Sequence, residues 1–83
     1  MYNGHPNYET WAASLWLTNE EGIYYAIMEM AETETDTYWL GERIKSLVWE
    51  MAPEVEGLFA DLIQSAMQNV EWEHIAAGLI EEA

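Results

Sequence analysis

Two histidines, His5 and His74, and sixteen carboxylates are the only side chains in this sequence with evident chemical reach. Glu71 and His74 stand at the Glu-x-x-His spacing that carboxylate-bridged di-iron bundles use. Such a centre needs a second copy of the pair and two further inward glutamates, and His5 is the only other histidine. The acid–threonine run Thr33-Glu34-Thr35-Asp36-Thr37 lacks the ligand spacing and the glycine of a calcium loop. There is no cysteine, no glycine-rich phosphate loop and no serine with an evident histidine base. The sequence therefore predicts no metal centre, no cofactor and no enzyme.

The chemistry that remains is that of charge and aromatic surface. Sixteen acids face only Arg43 and Lys45, a formal net charge of −14. Self-repulsion of this size opposes the compact state. It also makes nucleic acid and anionic membrane poor partners and a basic protein a good one. Solubility alone, or a halophilic source, is the competing explanation. The acids fall in clusters: Glu20 and Glu21; Glu29, Glu32, Glu34 and Asp36; Glu50, Glu54 and Asp61, helix-like in spacing across Pro53; and Glu71, Glu73, Glu81 and Glu82. Carboxylates one helical turn apart lie about 5–6 Å from each other, close to the phosphate spacing of a DNA strand. A rigid bundle bearing them could enter a protein channel that binds DNA by neutralising its phosphates. The competing interpretation is the solvated face of any amphipathic helix.

Aromatic residues divide into two groups. Trp11, Trp16 and Trp72 fit apolar stripes and are expected in the core. Trp39 and Trp49, with Tyr24, Tyr25 and Tyr38, are less clearly inward. A protruding tryptophan ringed by acids suits a basic partner, because Trp and Tyr are enriched at binding hot spots and stack on arginine.

Helices must position these groups. Met1 to Pro6 is a short arm with turn dipeptides Asn3-Gly4 and His5-Pro6. Asn7 is a good N-cap, Glu9 sits by the positive end of the helix dipole, and a first helix runs from about Tyr8 to Thr18. Tyr8, Trp11, Ala12, Leu15 and Trp16 recur on one face of it, which the other helices are expected to cover. Asn19, followed by Glu20 and Glu21, reads as the next cap. The second helix reaches about Thr33, with Ile23, Ile27, Met30 and Ala31 inward and Tyr24 and Met28 widening that face. Gly22 marks a mild weakness or a close backbone approach. A third helix starts near Asp36 or Thr37 and runs to about Met51 on a stripe of Leu40, Ile44, Leu47, Val48 and Met51. Pro53 is a boundary that suits the first turn of a new helix. The fourth helix, about Glu54 to Gln68, has the most regular stripe: Val55, Leu58, Phe59, Leu62, Ile63, Ala66 and Met67. The fifth, about Glu71 to Glu82, carries Trp72, Ile75, Ala76, Leu79 and Ile80. No strand, repeat or linker is evident.

The expected fold is all-α: one compact acidic domain over 1–83, built of four to five short helices behind the arm 1–6. A chain of 83 residues buries only roughly 60–65% of its unfolded surface, so its stability reserve is small. No run approaches the ~18 apolar residues of a membrane span, and the N-terminus lacks a signal peptide's basic and apolar regions. Together with the absence of cysteine, this predicts a soluble protein of the cytoplasm.

Asn7-Tyr8-Glu9-Thr10-Trp11, Leu15-Trp16-Leu17 and Asn19-Glu20-Glu21-Gly22 with Tyr24 resemble the opening of a family of small proteins from phages, plasmids and other mobile elements. Ala52-Pro53-Glu54-Val55-Glu56-Gly57-Leu58-Phe59-Ala60-Asp61-Leu62 and Val70-Glu71-Trp72-Glu73-His74-Ile75-Ala76 are similar to their far end. Glu20 replaces a common aspartate, Ala77-Gly78 departs from the usual end, and no site is carried over. The resemblance implies a bacterial-host setting rather than a mechanism. By analogy with acidic anti-CRISPR and antirestriction proteins, it suggests a stoichiometric inhibitor of a host nucleic-acid-binding defence complex, such as a CRISPR effector or restriction enzyme subunit. Acidic DNA mimicry would be the means. The expected contact residues are Glu29, Glu32, Glu34, Asp36, Trp39, Trp49, Glu50 and Glu54, with no direct binding of nucleic acid or membrane. The alternative is a helical interaction module or homo-oligomer whose acids only keep it soluble.

Overall fold

The computed structural model describes residues 1–83 and contains five helices: α1 (Tyr8–Asn19), α2 (Glu21–Thr33), α3 (Thr37–Met51), α4 (Leu58–Asn69) and α5 (Trp72–Glu82). The fold is an all-α bundle, as the helical periodicity predicts. Strand-like pairing is confined to Tyr2 and His5 in the N-terminal arm. There Asn3 and Gly4 both take positive φ, 46° and 83°. An Asn-Gly pair is the standard solution for so tight a hairpin turn, and the Tyr2 and His5 backbones exchange hydrogen bonds of 2.7 and 2.8 Å across it.

Side-chain caps set two of the five helix starts. Asn7 caps α1, its Oδ1 accepting from the Thr10 amide at 2.8 Å. Asp36 caps α3, its Oδ1 accepting from the Tyr38 and Trp39 amides at 2.9 and 3.2 Å. Asn19, the expected cap of α2, is instead the last residue of α1. Glu20 occupies the cap position without a side-chain bond, so α1 and α2 meet at a single extended residue. The fourth helix also starts later than its apolar stripe suggests. Ala52 is extended ahead of Pro53 and the chain stays non-helical to Gly57, whose φ of +63° is a conformation glycine takes without a Cβ penalty. Glu50, Glu54 and Asp61 therefore lie on three separate segments, and their helix-like spacing across Pro53 does not hold.

One core joins four helices. Leu17 of α1, Ile27 and Ala31 of α2, Leu40 and Ile44 of α3, and Trp72, Ile75, Ala76 and Leu79 of α5 are buried together with Val70. Tyr24, Met28, Leu47, Val48 and Ile80 pack around this cluster. The most extensive helix pairing is α3 on α5, and Gly41 permits it. A Cβ at that position would stand 3.0 Å from the Trp72 carbonyl carbon and the Glu73 amide nitrogen. Gly22 has open space around it, so no other backbone comes close there.

Two apolar faces depart from expectation. In α1 the inward residues are Thr10, Ala13 and Leu17, also at helical spacing, whereas Tyr8, Leu15 and Trp16 are exposed, Trp16 to 68%. The physical reason lies in the neighbours. Small side chains let α1 approach the core, and the arm covers part of the aromatic face. The ring of Tyr2 lies 5.2 Å from that of Tyr8 and 5.0 Å from that of Trp11. In α4 no residue is buried. Its backbone approaches only α1 among the other helices, and Met67 alone of its residues packs against the core cluster. Met51, at the far end of the α3 stripe, is exposed as well.

Candidate functional site

None of the sixteen carboxylates is buried. The single ion pair is Lys45 with Glu42, Nζ to Oε2 at 3.8 Å and one helical turn apart. An exposed pair of this kind contributes about 0–1 kcal/mol, so the acidic surface is left essentially uncompensated.

Three carboxylates, Glu42, Glu71 and Glu73, line one depression of about 340 Å³ with Tyr38 and Trp72, and as many line the groove between the end of α2 and the outer face of α3. The groove, an open depression of about 560 Å³, is lined by Met30 and Glu34 on one side and by Trp39, Glu42, Arg43, Ser46, Leu47 and Glu50 on the other. The α3 members recur at three- and four-residue steps, so one helix face carries them all. Trp39 is 58% exposed and stacks edge-on against Tyr38, ring centroids 5.0 Å apart. Asp36 fixes the start of this face by capping it. The result is a groove with an indole platform at one end, Glu42 one turn along α3, Glu50 about three turns along it and Glu34 on the α2 side, with Arg43 among them free of any ion pair. A guanidinium or ammonium group entering the groove would meet carboxylates and an aromatic face at once, an arrangement suited to cation–π contact.

The structure thus brings together Glu34, Trp39 and Glu50 of the expected contact residues. It separates the others. Trp49 and Glu54 line a different crevice, of about 320 Å³, with Pro53, Val55, Ala60 and Ile63. Glu29 and Glu32 are exposed on α2 outside both depressions, and one oxygen of Asp36 is engaged by the two amides it caps. Glu42, Arg43 and Ser46 belong to the groove and were not expected there. Their spacing from Trp39 along a predicted helix was the available signal.

Histidine chemistry has a different outcome. His74 faces His5 edge-on with ring centroids 5.2 Å apart. No group of three or more histidine or acidic side chains is placed to hold a metal ion. The Glu71 amide, meanwhile, donates to Thr10 Oγ1 at 2.9 Å, giving the Glu-x-x-His segment a structural link to α1. No helix is long and apolar enough to cross a membrane.

The residues of the Asn7–Trp11 block serve architecture. Besides capping α1, Asn7 donates through Nδ2 to the Asn69 carbonyl at 2.7 Å, and Thr10 holds Glu71. Both ends of the α4–α5 junction are thereby tied to the first turn of α1. The family of unknown function DUF7249 matches residues 1–83 of this chain. The chain belongs to that family. No curated protein and no solved structure matches it. As a member of DUF7249 it carries its family match across both the clasped junction and the acidic groove.

Proposed function

We propose that this protein is a non-catalytic, stoichiometric inhibitor that occupies a basic nucleic-acid-binding site on a host protein. The carrying observation is the α2–α3 groove: Glu34, Glu42 and Glu50 line it together with an exposed Trp39, on a surface where Glu42 alone among the acids is ion-paired. The carboxylates would take the place of phosphates against lysine and arginine, and Trp39 would add short-range contact by stacking. The resemblance to proteins of mobile elements supports a host-defence complex as the target, in the manner of an anti-CRISPR or antirestriction protein.

The test is capture from bacterial lysate on immobilised protein, read by mass spectrometry. Wild type and Glu20→Lys/Glu21→Lys should retain the same basic partner, and Glu34→Lys/Glu50→Lys, with the same change in net charge, should lose it. Equal retention by all three proteins, or equal loss in both variants, would remove the groove from the account.

A second reading has one observation in its favour. The outward apolar face of α4 is uncovered, as expected of a helical interaction module whose acids only maintain solubility.

A further inference from the structure

Helix α4 presents its apolar residues to solvent. Leu58, Phe59 and Leu62 are 68%, 67% and 57% exposed, at i, i+1 and i+4 on one side of the helix. Ala60, Ile63 and Met67 form the partly covered side. Val55, just upstream, is exposed too and opens into the crevice beside Trp49. Every other helix buries residues in the interior. Leaving three large side chains in water forgoes the stabilisation that burying them would bring, and contiguous exposed apolar surface marks interaction sites.

Charge selects the occupant. Asp61 flanks this face on α4 and the exposed Glu54 and Glu56 precede it in the chain, whereas Lys45 lies by the other side of α4, lining a crevice with Gln64, Met67 and Gln68. A second copy would bring another −14 charges against the first, and an anionic lipid surface meets the same repulsion. A helix with an apolar stripe and a lysine- or arginine-rich rim complements both features: its stripe covers Leu58, Phe59 and Leu62, and its rim meets Asp61 and the acids that precede α4. Recognition of an amphipathic helix through anchors one turn apart is a recurrent mode. We infer that the outer face of α4 docks a basic amphipathic helix of a partner protein. The inference takes from the proposed function only that the partner is basic, and it concerns a surface separate from the α2–α3 groove.

The test titrates the full chain with two synthetic peptides of identical leucine and lysine composition, one patterned as an amphipathic helix and one scrambled. Both carry the same charge, so their difference in affinity reads the apolar face. The patterned peptide should bind one-to-one and at least about tenfold more tightly, the size of effect a small apolar anchor cluster supplies. Phe59→Ser/Leu62→Ser should erase that difference while circular dichroism stays helical, and Leu58→Gln should reduce it if the double variant fails to fold. Glu34→Lys/Glu50→Lys should leave it intact, so loss of DNA mimicry at the groove and loss of docking at α4 give separate results. Equal affinity for the two peptides would overturn the inference, as would a difference that survives substitution of α4. A sedimentation dimer of the wild type that Phe59→Ser/Leu62→Ser dissociates would assign the face to a second copy instead.

Discussion

The hydroxyl of Thr10 and the backbone amide of Glu71, 61 residues apart in sequence, are joined at 2.9 Å at a part-buried position. Thr10 is fully buried, and Glu71 opens α5 without a side-chain cap of its own. A polar residue thus occupies the inward face of α1 because a helix start on the opposite side needs an acceptor. Thr10→Val keeps the shape and removes the oxygen. It should cost about 1–3 kcal/mol, the penalty for stranding a covered donor, and Thr10→Ser should restore most of the loss. Urea unfolding of the three proteins checks this.

Two glycines should respond in opposite directions. A methyl at Gly41 meets the α5 backbone at 3.0 Å, so α3 and α5 must separate. Gly41→Ala should destabilise by about 1–3 kcal/mol, as overpacking does. Gly22 lies exposed in the first turn of α2 with nothing near its Cβ position. Gly22→Ala should stabilise by up to about 1 kcal/mol through helix propensity. Paired thermal melts decide both.

Uncompensated charge predicts a stability that rises with salt. The carboxylates repel one another across the surface, and the Debye length falls to about 10 Å at 0.1 M salt. The Tm should climb from low ionic strength to 0.1 M sodium chloride. A flat profile would mean that the −14 charge imposes no appreciable strain on the fold.

The phenol of Tyr24 lies beside Glu82 and donates to its Oε2 at 3.4 Å. The neighbouring carboxylate charge, with lesser help from burial and the hydrogen bond, raises the tyrosine above its ordinary value of 10.0. A raised folded value favours the protonated hydroxyl. Its contribution is therefore complete below pH 10 and disappears as pH climbs through the raised folded value. Ultraviolet titration should show the ionisation of Tyr24 displaced to higher pH and returning toward the ordinary range in Glu82→Gln.

Much of the architecture was readable from spacing. Asn7 and Asp36 cap the helices they were expected to cap or begin, and the stripes of α2 and α5 are the ones that bury. Spacing failed where it admitted two answers. Tyr8, Trp11 and Leu15 obey the helical period, but so do Thr10, Ala13 and Leu17, and only the neighbouring Glu71 amide and the Tyr2 ring decide between the faces. For α4, periodicity located an apolar side without saying whether anything covers it. The late start of α4 follows from the positive φ of Gly57, which composition alone does not reveal. At the groove, Trp39 and the surplus of acids were legible. Which acids meet there depends on how α2 and α3 lie together, and that brought in Glu42 and left Glu29 and Glu32 aside.

Competition with DNA tests the central claim most directly. A partner captured on the immobilised protein would be challenged with increasing duplex DNA, alongside a salt series without DNA. Occupation of a DNA site by carboxylates predicts release by duplex in proportion to its concentration, and affinity that falls steeply with salt. A partner that stays bound under saturating duplex, with affinity unchanged between low and high salt, would contradict the claim.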